Sequence, residues 1–148
     1  MFVELSATSN FTFLTGASHP EEYVARAALL GLPAIAIADE NSVAGIVRAH
    51  SEARKIKQLV AERIAKDSFG PPRPTHIPKP PSLDILNVPR LIPAALLTFD
   101  EGLKITILPE TRKGWVTLCR LLTKGRRKAK KGHCRLNLGD LLENGDGL

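Results

Sequence analysis

The run Pro33 to Ala38, PAIAIA, followed by Asp39, constrains the fold more than any other stretch of this chain. It is too short for a buried helix and is apolar on both faces, which suits a strand inside a parallel sheet. Parallel neighbours cannot be joined by a tight turn; they need a crossover of a dozen or more residues, usually a helix. The preceding residues supply one. Phe2 to Leu5 reads as a short strand. Ser18 can then cap a helix with Glu21 completing a capping box and Pro20 tolerated in the first turn. Val24, Ala27 and Ala28 fall on one face of that helix, and Gly31 is a plausible stop. A β-α-β unit results, and with it an α/β fold class.

From Ser42 a long helical pattern follows. Val43, Ile46, Val47, His50 and Ala53 share a face, and Ile56, Leu59, Val60 and Ile64 continue it opposite a charged side. The pattern ends at Ser68. Residues 69–90 hold seven of the eleven prolines, which remove backbone donors and fix φ, so this stretch is expected to be an extended connection or insert. Two strands are predicted beyond it, Leu91 to Thr98 and Lys104 to Leu108, with Asp100-Glu101-Gly102 as the turn. Thr111 can cap a helix whose Trp115, Leu118, Cys119 and Leu122 lie on one face, with Gly125 as its end. A short amphipathic tail, Leu136 to Leu142, closes the pattern. The 148 residues suit a single domain spanning 1–148.

Charge is distributed unevenly. Between Thr111 and Gly139 there is no Asp or Glu, while Arg112, Lys113, Arg120, Lys124, Arg126, Arg127, Lys128, Lys130, Lys131 and Arg135 all fall there. Residues 126–135 form a basic segment able to neutralise phosphates, and Arg126, Arg127, Lys128, Lys130 and Lys131 are the candidate nucleic-acid contacts. Against that reading, no aromatic residues interleave with the charges in sequence. Two cysteines, Cys119 and Cys134, without a CxxC pair suggest neither a disulfide framework nor a zinc site. His76, Cys119, His133 and Cys134 are acceptable ligand types in a weak arrangement. His19 and His50 read as helix residues. No apolar run reaches a membrane span and no signal peptide is evident, so a cytoplasmic location is expected.

The stretch ELSATSNFTFLTGASHPEEYVARAALLGLPAIAIADENSVAGIVRAH, with LIPAALLTFDEG, GWVTLCRLLTKGRRKAKKG and LNLGDLL in that order, resembles the PHP (polymerase and histidinol phosphatase) domain. This domain opens the α subunit of bacterial C-family DNA polymerases, and GRRKAKKG is most similar to the error-prone branch. The resemblance implies a distorted (β/α)7 barrel, of which these residues supply a part, with a metal cluster at the C-terminal strand ends. It also implies a domain that braces the polymerase and in some members adds a metal-dependent exonuclease.

The same resemblance locates the family's ligand positions in this chain. Where active members carry His-x-His after the first strand, Ser6 and Thr8 stand here. Thr15 replaces an expected Asp. The Asp-His after the second strand is Asp39-Glu40, an expected Glu is matched by Leu96, and an expected His by Lys104. Hydroxyls are poor ligands beside imidazole or carboxylate, Leu is none, and Lys brings a positive charge. No catalytic residue, no metal and no other cofactor is therefore expected.

The leading expectation is a non-catalytic PHP-like module with a structural or interaction role in DNA replication or translesion repair, partnered by other polymerase domains or subunits. Weak DNA contact and dimerisation are further expectations. The rivals are a small basic DNA-binding protein using the C-terminal arm, a PHP-type phosphoesterase or exonuclease rebuilt around Asp39 and Glu40, and a remnant without selected function. The bland reading of Asp39 and Asn41 is that one of them caps the long helix.

Overall fold

The computed structural model describes residues 2–69, 88–144 and 148, and side chains throughout those ranges except 66–69 and 144. Four strands form one curled sheet in the order β1 (Glu4–Ala7), β2 (Ala34–Glu40), β3 (Arg90–Thr98), β4 (Lys104–Ile107). The first three are parallel, and β4 returns antiparallel to β3. Helix α1 (Pro20–Leu29) makes the crossover from β1 to β2, and α2 (Gly45–Phe69) leads away from β2. After β4 come α3 (Arg112–Arg127) and the short α4 (Leu138–Asn144). The fold is α/β, in the form of a partial barrel.

Register decides what faces what. Ile35 and Ile37 of β2 pair with Leu91 and Pro93, and Asp39 pairs with Ala95, so these side chains share one face of the sheet. That face meets the helices. Ile35 and Ile37 pack with Val24, Ala27, Ala28, Ala49 and Ile56 under α1 and α2. Ala95 and Leu97 pack with Ile107, Leu118, Leu121, Leu122 and Leu136 under α3 and the tail. The opposite, concave face carries Ala36, Ala38 and Ala94, which are fully buried against one another. Small side chains allow the strands to curl there. The expectation that β2 is buried on both faces holds from Ala34 to Asp39.

Several local expectations shift. The first strand lies at Glu4–Ala7 rather than Phe2 to Leu5. The cap of α1 is His19, not Ser18: Glu22 accepts from the His19 backbone N–H at 2.8 Å, one residue later than the expected box. Along α2 the inward stripe is Ile46, Ala49, Ala53, Ile56 and Val60, while Val47, Leu59 and Ile64 are exposed. Ile46, Ala53, Ile56 and Val60 lie as expected, and Ala49 takes the place that the expectation gave to Val47 and His50. Thr111 caps α3 as expected, accepting from the Gly114 N–H at 3.0 Å. Gly125, however, does not end that helix. A Cβ there would lie 2.6 Å from the Cys134 sulfur and 2.8 Å from a Leu136 methyl, so this glycine lets the returning chain pack directly on α3. The turn between β3 and β4 forms as predicted, with Gly102 at φ 80°. Most of the proline-rich stretch lies outside the described residues.

Candidate functional site

The C-terminal ends of β1, β2 and β3 lie together, because the three strands are parallel. This edge is where α/β folds of the barrel type place their chemistry. The loop after β1 is pinned there by a buried carboxylate. Asp39, at 1% exposure, accepts from the Ser9 backbone N–H at 2.8 Å, from the Ser9 hydroxyl at 2.8 and 2.9 Å to its two oxygens, and from the Thr12 hydroxyl at 3.0 Å. The Thr12 oxygen in turn accepts from the Glu40 N–H at 2.9 Å. Gly45, the first residue of α2, crowds the same carboxylate: a Cβ there would lie 2.5 Å from Asp39 Oδ2. Gly16 is needed for a similar reason, since a Cβ would fall 2.0 Å from the Ser9 carbonyl oxygen.

Asp39 and Asn41 therefore do not cap α2. Asn41, in the left-handed region at φ 49°, accepts from the Thr98 N–H through its side chain at 3.1 Å, and its own N–H donates to the Leu96 carbonyl at 2.8 Å. In the turn before α2 it is Ser42 whose hydroxyl accepts, from the Ala44 N–H at 3.2 Å.

Glu40 sits one residue further on and projects to the concave face. Its carboxylate accepts from the Thr98 hydroxyl at 2.7 Å and pairs with the Lys104 ammonium at 3.6 Å. Leu96 lies opposite Glu40 in register, and Thr98 lies opposite Lys104. Four of the positions singled out in the sequence are thereby placed in two groups: Glu40, Leu96 and Lys104 gather on the concave face, whereas Thr15 is exposed in the loop. Ser6 is also exposed and bonds to its neighbour Glu4, and the Thr8 carbonyl accepts from the Tyr23 hydroxyl at 3.0 Å. Among the described residues no three His, Cys, Asp or Glu side chains converge as a metal site would require.

A cleft of about 590 Å³ opens at these strand ends. The loop after β1 contributes Phe11, Thr12 and Phe13, the sheet contributes Glu40, Asn41 and Thr98, and the basic segment closes the far wall with Arg126, Lys130, Lys131 and His133. Arg126 anchors that wall by donating to the Asn41 carbonyl at 3.0 Å. A larger cavity, about 750 Å³, runs along the exposed side of α3 past Trp115, Cys119 and Arg127. It is remote from the polar constellation.

The basic segment is divided by Asp140. This buried carboxylate takes Lys124 at 2.7 Å and Lys128 at 2.8 Å, and it also accepts from the Asn137 N–H at 3.2 Å. Those bonds from Lys124 and Lys128 hold its pKa well below the usual carboxylate range, against the opposing effect of burial. Lys128 is thus engaged in holding α4 to α3. Burial raises the Cys119 and Cys134 thiols above their ordinary value. Sequence reading missed Ser9, Thr12 and Asp140; only their hydroxyl and carboxylate chemistry within otherwise apolar surroundings hinted at them. Phe11 and Phe13 were visible but could not be linked to cations more than a hundred positions away.

The PHP domain family matches residues 4–144, and the chain belongs to it; the curled partial barrel is consistent with that family. Its relatives narrow the description. An error-prone DNA polymerase of Ruegeria pomeroyi is 43% identical over 159 residues, which is 99% of this chain and 14% of that protein. The error-prone DNA polymerase 1 of Rhizobium meliloti is 39% identical over 144 residues, covering 97% of this chain and 10% of its own length. One from Rhodopseudomonas palustris is 36% identical over 148 residues, 99% of this chain and 11% of that protein. The chain therefore spans only a small part of the relatives it matches. A solved structure from Bifidobacterium adolescentis, provisionally called a metal-dependent phosphoesterase, superposes with a TM-score of 0.45 at 18% identity, over 84% of this chain and 33% of that one. A likeness of that degree decides nothing about this chain. No helix among the described residues is long and apolar enough to cross a membrane.

Proposed function

We propose that this chain is a non-catalytic PHP module related to error-prone DNA polymerases, with a structural or interaction role in DNA replication or translesion repair in the cytoplasm. The observation that carries the reading is the Lys104 to Glu40 pair at 3.6 Å. At the strand ends, where the family's metal cluster is expected, the Lys104 ammonium already stands beside the Glu40 carboxylate on the concave face. A divalent cation there would meet a like charge, an aliphatic Leu96 and neutral hydroxyls, a donor set that does not suit it. Asp39 is committed to Ser9 and Thr12 and is fully buried. The fold is kept and the ligand chemistry is not, which favours bracing or binding over hydrolysis.

The test is hydrolysis of phosphomonoester and oligonucleotide substrates by the purified chain with added manganese or zinc. Turnover at the enzyme-free rate is expected. A metal-dependent turnover that vanishes in Asp39→Asn would establish the phosphoesterase reading instead. Co-elution with an error-prone polymerase on gel filtration is the matching positive experiment for the interaction role.

A further inference from the structure

The residues that replace catalysis at the strand ends form a surface of their own. The cleft carries two carboxylates, and both are neutralised: Glu40 by Lys104, and Asp100 by Arg135 at 2.8 Å. The cations on its far wall are not. Lys130 and Lys131 have no ion-pair partner among the described residues, and the guanidinium of Arg126 bonds only to a backbone carbonyl there. Among the described residues the cleft therefore holds a net positive charge that no ion pair neutralises.

Across the cleft from those cations lie Phe11 and Phe13, and Phe13 is held out into solvent. Phe13 is 84% exposed, and the adjacent Leu14 is 90% exposed in the left-handed region at φ 62°. A leucine there is strained, and strain that displays apolar side chains needs the surrounding structure to enforce it. The enforcement is visible: Asp39 pins Ser9 and Thr12, and the Thr15 and Gly16 N–H groups both donate to the Thr12 carbonyl at 3.1 Å. Phe11 also lines the cleft, with Arg48 over its ring at 5.7 Å. The interleaving of aromatics and cations that is missing along the sequence is thus made in space, across the cleft.

We propose that this cleft binds single-stranded nucleic acid without cutting it, the cations Arg126, Lys130 and Lys131 tracking phosphates while Phe13 stacks on a base. Rings with exposed faces opposite a basic groove are how sequence-tolerant single-strand binding is built. A duplex, whose bases are already stacked, could use the cations and not the ring. The proposal rests on the non-catalytic reading in one respect, that the strand is held and not hydrolysed.

The experiment is fluorescence anisotropy with a labelled oligothymidylate of about 12 nucleotides, the full chain, EDTA, and a series of salt concentrations. Saturable binding is expected that weakens with salt. Removing two phosphate contacts with Lys130→Ala and Lys131→Ala should lower the slope of log K against log salt by ~1.4, at about 0.7 per phosphate on a single strand. Phe13→Ala should weaken binding about tenfold and leave that slope unchanged. Both substitutions are at exposed positions, so the thermal transition should not move. Arg112→Ala with Lys113→Ala removes the same charge from the start of α3, outside the cleft, and should leave affinity and slope as they were.

An equal loss from that control pair would reduce the effect to diffuse charge and overturn the proposal. So would full affinity in Phe13→Ala, preferential binding of duplex, or no binding at low salt. Should Phe13→Ala alter the native mass of the chain while oligonucleotide binding persists, the tip is a protein-docking element instead. Cleavage of the oligonucleotide on adding manganese would count against the non-catalytic reading and not against binding, so the two failures are distinguishable.

Discussion

Replacing Asp39 by Ala should cost far more stability than replacing it by Asn, and the difference measures what holds the loop after β1. The carboxylate is 1% exposed and receives three donors: the Ser9 N–H, the Ser9 hydroxyl and the Thr12 hydroxyl, all at 2.8 to 3.0 Å. A hydrogen bond to a charged group contributes about 1.5–3 kcal/mol, so the gross loss in Asp39→Ala is several kcal/mol. Two effects reduce it. The buried carboxylate has no ion-pair partner among the described residues, so its removal also relieves a desolvation cost, and the freed hydroxyls can turn to other acceptors. A net loss of roughly 2–4 kcal/mol follows for Asp39→Ala. Asn keeps the oxygen that accepts from the Ser9 N–H and the Thr12 hydroxyl, and the Ser9 hydroxyl can turn to accept from its amide, so Asp39→Asn should cost about 1–2 kcal/mol. At about 2–4 °C per kcal/mol for a chain of this size, Asp39→Ala should melt roughly 5–15 °C lower by circular dichroism. A melting temperature within about 1 °C of the unsubstituted chain, or equal losses for Ala and Asn, would refute the claim that this carboxylate organises the loop.

Other expectations follow from the same contacts. Because Lys124 and Lys128 hold the folded Asp140 below its unfolded pKa, the unfolded chain binds more protons as acid is added. The contribution of Asp140 is thus complete above about pH 4 and is lost as pH falls through the depressed folded value. Urea unfolding at a series of pH values should show Asp140→Asn less stable by about 1–2 kcal/mol at neutral pH, with the gap closing in acid; both lysines are partly exposed and can rehydrate. Gly125→Ala should cost about 1–3 kcal/mol by chemical denaturation, since its methyl would intrude on Cys134 and Leu136. A neutral result would mean the returning chain is not seated on α3.

How far the sequence carries can be judged from particular residues. The β-α-β unit was legible because a strand buried on both faces, an apolar helix face and a glycine stop agree with one another, and PAIAIA occupies β2 as read, although the cap lies one residue later than expected. The stripe on α2 was read in part: Ile46, Ala53, Ile56 and Val60 turn inward as read, but Ala49 was passed over, because alanine gives a weaker hydrophobic signal than the exposed Val47 and Leu59. Gly125 was misread as a helix stop because a glycine that permits close approach and one that ends a helix look alike in sequence. At the site, Glu40, Leu96 and Lys104 were named from the sequence, and the structure brings them together on one face. That Lys104 would pair with Glu40, however, depends on the antiparallel register that sets Lys104 opposite Thr98 beside Glu40. The division of the basic segment was likewise hidden, since Asp140 lies twelve residues beyond Lys128 and meets it only after the chain turns back onto α3.

The central claim of the proposed function is that the strand-end site holds the Glu40–Lys104 ion pair in place of a metal. Its most direct test is the metal content of the purified chain, measured by mass spectrometry after incubation with excess manganese or zinc and desalting. The account predicts far less than one ion per chain, unchanged in Asp39→Asn. Retention of one or more ions per chain, lost in Asp39→Asn or Glu40→Gln, would contradict it.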